Sequence, residues 1–290
     1  MCDMSTNTSS SDQENVIQII RSKRQYIENE INKIFKKSPN LKIDAVKKRR
    51  IIDFVFDNLP LILGSINKNV DEEEIKTLEI KSINDLKLAE LAYQTKDYSN
   101  ALFHLQQSIE KSVKAYGLYY GIIKESKDEI VHKIGHKSPK VYLKLLRFPW
   151  VDDVSNIFTP EINLQKRLAD LDSLVKEENK SKILDLDGSV PLFLEMYERV
   201  SENIRKSFSR HEVKIITDEV KRNFGVDIKD EYTKQIEFAL LLYLFSFITW
   251  IYAVDPRYSN EIEYEKLNII KNFNKIVHLF SPSKLVSETE

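Results

Sequence analysis

Two adjacent runs constrain the fold more than any other part of this chain. In Ala89-Glu90-Leu91-Ala92-Tyr93 and again over Tyr98–Tyr116, apolar residues recur at helical spacing, and the polar trio Thr95-Lys96-Asp97 separates them. Helices this short are marginal in water on their own, so each run needs a partner for its apolar face. The pattern predicts an antiparallel helical hairpin over 83–95 and 98–118, at the centre of a larger bundle.

Composition extends that expectation to the whole chain. Only 6 Gly and 8 Pro occur in 290 residues, too few for the many tight turns of a β-rich protein. Hydrophobic residues make up 42%, enough to supply a substantial core. The expected fold is an all-α multi-helix bundle without a sheet. Basic and acidic residues balance at 44 and 45, so no global field draws in nucleic acid and any RNA site must be a local patch. Cys2 is the single cysteine. It excludes an internal disulfide and a Cys-rich zinc site, and points to the reducing cytoplasm.

Residues 1–13 are rich in Ser, Thr, Asn and Asp and read as a disordered tail rather than a signal peptide. Residues 14–80 read as a helical N-terminal extension, 81–280 as the main helical domain and 281–290 as a flexible tail. A first helix is expected over Glu14–Lys37, broken by Ser38-Pro39-Asn40. The second, about 43–64, opens on the basic run Lys47-Lys48-Arg49-Arg50, and Pro60 should kink or end it. Later helices are expected over Pro160–Glu178, Pro191–Ser209, His211–Phe224 (with Gly225 as its C-cap), 235–254 and 262–280. Phe238–Val254 carries no charge and sits at the short limit for a membrane span. Its flanking Glu237, its internal hydroxyls and the lack of a companion segment favour a helix buried inside the bundle, with no membrane association.

The hairpin string has a relative. Tyr98, Ala101, His104, Gln106-Gln107-Ser108-Ile109-Glu110-Lys111 and Lys114-Ala115 resemble the first hairpin of HEPN domains. These are four- to six-helix bundles of prokaryotic toxins and abortive-infection proteins that bind nucleotides or cut RNA. Part of the string also mimics half of a tetratricopeptide unit, but such repeats need about three stacked copies and no second copy lies 34 residues away. The HEPN resemblance covers about a fifth of the chain. It implies an up-down helical core, RNA or nucleotide as ligand, a homodimer, and a defence or toxin–antitoxin setting with an antitoxin or other protein partner. It implies no metal and no cofactor. The alternative is a non-catalytic interaction module that kept the hairpin and lost the ribonuclease site.

The family's ribonuclease signature is an Arg followed, after four to six residues, by a His. Here Arg205-Lys206-Ser207-Phe208-Ser209-Arg210-His211 fits it. Under the resemblance His211 serves as acid or base, since imidazole titrates near neutral pH, and Arg205 clamps the scissile phosphate. Lys206 departs from the usual polar residue, commonly Asn, that follows the Arg. On one unbroken helix the two side chains would stand about 120° apart. They converge only if the helix ends near Ser209 or across a dimer. The competing reading is a solvated Arg and His at a helix terminus.

Two further clusters are candidates for phosphate or nucleotide binding. In His132-Lys133-Ile134-Gly135-His136-Lys137-Ser138-Pro139-Lys140, the free amides of a helix starting after Ser138 join His136, Lys137 and Lys140. A structural turn is the competing reading. His132 and His136 are spaced for a metal, but no third ligand is evident and none is expected. On the hairpin, His104 lies at helical spacing from Gln107 and Lys111 and is a candidate cleft residue. Its competing reading is a core histidine bonded to a backbone carbonyl.

Overall fold

The computed structural model describes residues 9–37, 44–62, 72–119, 187–250, 252 and 263–280. Among the described residues every regular element is helical and no strand occurs, so the fold is all-α. The elements are α1 (Ser9–Lys37), α2 (Ala45–Ile62), α3 (Glu72–Gln94), α4 (Tyr98–Tyr119), α5 (Val190–Phe208), α6 (His211–Phe224) and α7 (Ile228–Trp250). A 3-10 turn (Tyr264–Lys266), α8 (Asn268–Lys271) and α9 (Phe273–Leu279) follow.

The α3–α4 hairpin closes as its sequence dictates. Lys96 takes a left-handed conformation with φ 63°. The Lys96 N–H then reaches the Tyr93 carbonyl (3.0 Å) and the Asp97 N–H reaches Ala92 (2.8 Å), which satisfies the last carbonyls of α3. Asp97 caps α4, accepting the Asn100 N–H (3.3 Å) on its side chain. Between the helices a buried hydroxyl cluster replaces bulky apolar packing. Ser82 Oγ donates to the Ser108 carbonyl (2.8 Å) and Ser108 Oγ returns the bond to the Ser82 carbonyl (2.8 Å). Ser112 Oγ lies 2.7 Å from Ser82 Oγ. Small side chains let the backbones approach closely, and every hydroxyl in the gap has a partner, which removes the cost of burying it.

The chain divides into two compact units, with α5 and α7 each contributing to both. One holds α1, α2, residues 200–208 of α5, α6 and residues 228–236 of α7. Its core includes Ile27, Ile31, Ile51, Val55, Ile204, Phe208, Ile216 and Val220, all nearly solvent-free. Tyr232 stacks on Phe208 and donates its hydroxyl to the Val55 carbonyl (3.1 Å). Lys23 donates to the Asn223 carbonyl (2.9 Å), a cation placed at the negative end of α6. Arg24 and Arg49 bridge Glu28 on α1 to Asp53 on α2.

The second unit contains the α3–α4 hairpin, residues 187–199, residues 237–252 where described, and 263–280. Leu86, Ala89, Leu105, Ile109 and Val113 of the hairpin are buried, as are Leu241, Leu244, Phe245 and Ile248 of α7. Tyr93 stacks flat on Phe273 at 4.3 Å. No helix among the described residues is long and apolar enough to cross a membrane.

Several boundaries depart from the sequence expectation. α7 starts at Ile228 rather than 235, because the Asp227 carboxylate accepts the Asp230 N–H (3.3 Å) and caps it. α2 continues past Pro60 to Ile62, the last described residue of that segment. The expected final helix is broken. The buried Asp187 carboxylate accepts the Asn268 N–H (2.7 Å) and the Ile269 N–H (3.0 Å), which starts α8 afresh. Asn272 then leaves helical geometry (φ −103°, ψ 8°) while its side chain donates to the Asn268 carbonyl (2.8 Å). The expected helix over 160–178 and the tail over 281–290 lie outside the described residues.

Candidate functional site

The α5–α6 elbow carries the first site. α5 ends at Phe208, within one residue of the end its sequence pattern indicates. Ser209 turns back on it: its N–H (3.1 Å) and its Oγ (2.8 Å) both donate to the Arg205 carbonyl. This local bond competes with helix continuation, as serine side chains do at helix ends. Arg210 is extended (φ −62°, ψ 139°) and α6 begins at His211. Arg205 therefore lies in the last turn of α5 and His211 at the first position of α6, with a break between them. Both side chains are exposed. The unbroken-helix geometry that would separate them by about 120° does not apply here.

More positive charge surrounds this elbow than the Arg–His spacing alone implies. Lys229, at the start of α7, lies 3.4 Å through Nζ from Ser209 Oγ. Lys214 follows Arg210 by one turn, its N–H donating to the Arg210 carbonyl (2.9 Å). Lys206 is paired with Glu202 at 2.6 Å.

The second site lies on the hairpin. Asp85 of α3 faces α4 and meets two of its side chains. His104 Nδ1 stands 3.3 Å from Asp85 Oδ1, and Lys111 Nζ donates to Asp85 Oδ2. His104 and Lys111 are seven residues apart, two helical turns, which puts them on one stripe of α4. His104 is thus bonded to a carboxylate, which corrects the competing expectation of a backbone carbonyl. With Nδ1 facing Asp85, the other ring nitrogen, Nε2, is left for a ligand or a proton. Gln107 instead donates to Gln106 Oε1 (2.6 Å), and the buried Gln106 donates to Glu110 Oε2 (2.9 Å). Glu110 also receives Lys114 (2.7 Å), so this polar set ties the turns of α4 to one another.

Sequence reasoning missed Asp85. Its partners lie 19 and 26 residues away, and no local spacing rule connects them. The hairpin register was the usable signal, since it sets residues near 85 opposite those near 108.

His132, His136, Lys137 and Lys140 lie outside the described residues. Among the described residues no group of three His, Cys, Asp or Glu side chains is placed to hold a metal.

Residues 78–136 match the HEPN domain family. The hairpin from residue 78 onward lies inside this match. The match takes in the serine cluster of α3 and α4, Asp85, His104 and Lys111, and continues into 120–136. Arg205 and His211 stand outside the matched HEPN segment. No curated protein and no solved structure matches the chain.

Proposed function

We propose that this HEPN-containing chain acts on RNA at the α5–α6 elbow, as a metal-independent endoribonuclease with Arg205 and His211 in the working roles. The observation that carries the reading is the helix break at Ser209-Arg210, which removes the geometric objection to Arg205 and His211 acting together. The HEPN match supports it, because that family has ribonuclease-like and nucleotide-related roles. In the proposed reaction His211 takes the proton of a ribose 2′-hydroxyl. The 2′-oxygen attacks the adjacent phosphorus and the bond from phosphorus to the 5′-oxygen breaks; the 5′-oxygen takes a proton from water, His211 returns its own to solvent, and a 2′,3′-cyclic phosphate is left. Arg205 holds the non-bridging oxygens and offsets the charge that builds on them.

The hairpin face is the proposed nucleotide contact. An entering phosphate would draw Lys111 from Asp85 and meet His104, and the sequence cluster His136, Lys137 and Lys140 is a separate proposed phosphate contact. In this account the protein works in the cytoplasm as a homodimer, restrained by an antitoxin or another protein partner. A second reading, a non-catalytic interaction module, is favoured by one observation. Lys111 and His104 are already engaged by Asp85, a structural use of residues the first reading gives to ligand.

Expression of wild type and of Arg205→Ala in growing cells separates the two readings. Ribonuclease action predicts growth arrest with wild type and none with the variant. Equal growth of both would favour the interaction module.

A further inference from the structure

The described cations around the elbow fall into two groups. Lys206, Lys221, Arg222 and Lys234 each sit against a carboxylate: Glu202 (2.6 Å), Asp227 (2.6 Å), Glu219 and Asp230 (3.1 Å). Arg210, Lys214 and Lys229 have no ion-pair partner among the described residues, and all three gather at the elbow. Lys229 is brought there by its Ser209 contact (3.4 Å), and Lys214 stands one turn beyond Arg210 on α6. Two carboxylates that could neutralise them are engaged elsewhere, Glu202 by Lys206 and Asp230 by Lys234. Glu212 remains as the acidic residue in the first turn of α6. The elbow therefore carries three cations without an ion pair beside Arg205 and His211, and the nearby Asp227 carboxylate, which feels the charge of Lys229, is already bonded to Lys221.

We propose that Arg210, Lys214 and Lys229 form a backbone-tracking surface that holds single-stranded RNA across the elbow, contacting phosphates flanking the one held by Arg205. The proposal rests on the reading of the elbow as an RNA site. Exposed cations with no carboxylate partner release condensed counterions when phosphates replace them, which is the main source of sequence-independent affinity. The cations already paired would have to give up a carboxylate first, so they gain less. A single strand suits the site because in-line attack by a 2′-hydroxyl needs a backbone free to leave A-form geometry.

The test measures binding apart from cleavage. Full-length protein carrying His211→Ala is titrated with a fluorescently labelled 12-nucleotide oligouridylate, by anisotropy, from 50 to 300 mM KCl. Adding Arg210→Gln, Lys214→Gln and Lys229→Gln together should lower the magnitude of the slope of log K against log[salt] by about 2, at about 0.7 per lost single-strand contact. Affinity at the lowest salt should fall more than tenfold. Lys206→Gln with Lys234→Gln, which removes two paired cations, should leave the slope unchanged. Urea midpoints for all variants establish that they fold. An unchanged slope in the triple variant, or an equal drop in the paired-cation control, would overturn the proposal. Tight binding with the expected slope by a protein that never cuts RNA would sink the catalytic reading and leave this one standing.

Discussion

Lys111 of α4 donates to the Asp85 carboxylate of α3, with side chains only 24% and 14% exposed. The pair is shielded enough that removing one member strands the other. Asp85→Asn should destabilise the protein by about 1–3 kcal/mol, and Asp85→Leu with Lys111→Met should recover much of that loss. Urea denaturation of the single and double variants measures both. Additive losses in the double variant would show that the two residues do not act as a pair.

The serine cluster makes a sharper claim about the hairpin. Ser82, Ser108 and Ser112 bond to one another between the two helices, and Ser108 is fully buried. Ser108→Leu should cost about 3 kcal/mol by forcing α3 from α4 and leaving Ser82 short of a partner. Ser108→Ala should cost about 1–2 kcal/mol. Equal and small effects from both substitutions would contradict a close-packed interface.

Gly225 ends α6 in the left-handed region at φ 75°, its N–H donating to the Lys221 carbonyl (2.8 Å). A Cβ there meets nothing within 4 Å, so any penalty is conformational rather than steric crowding. Gly225→Ala should cost about 1 kcal/mol, and Gly225→Asn less, because Asn tolerates this conformation better. Thermal unfolding of the two variants ranks them, and the reverse order would count against the cap.

Burial raises the Glu79 carboxyl above its ordinary value near 4.5, with Lys76 opposing the shift only partly. The folded state therefore holds the Glu79 proton more tightly than the unfolded state does. Above its raised folded value, ionised Glu79 costs stability. The cost fades as pH falls through that value and is gone below about 4.5. Glu79→Gln should be more stable than wild type at pH 7 and indistinguishable from it at pH 4. Urea midpoints at the two pH values decide it, and a constant difference would rule out ionisation as the cause.

Local chemistry made much of this architecture legible in the sequence. Tyr98 and the Thr95-Lys96-Asp97 turn bound the hairpin where the periodicity indicated, and His211, Phe224 and Gly225 bound α6. These are positions where helix periodicity, a capping residue and a turn residue agree. The Asn272 break was not legible, because Ile269, Ile270, Phe273, Ile276 and Val277 keep an apolar helical pattern through it. The fresh start of α8 was hidden as well, because its cap is Asp187, some eighty residues earlier, and no window along the sequence joins them. Asp85 was hidden in the same way. The elbow was half legible: Arg205 and His211 stood out by spacing, whereas Lys229 reaches Ser209 only through the fold.

Whether the elbow cuts RNA without metal is decided by analysis of the products. Purified wild type, Arg205→Ala and His211→Ala are each incubated with end-labelled single-stranded RNA in excess EDTA, and the new termini are identified. Wild type is expected to leave 2′,3′-cyclic phosphate ends and each variant to lose at least a hundredfold in rate, within the range of general acid–base and charge-stabilising contributions. Cleavage by His211→Ala at the wild-type rate, or products from wild type that vanish in EDTA, would contradict this account.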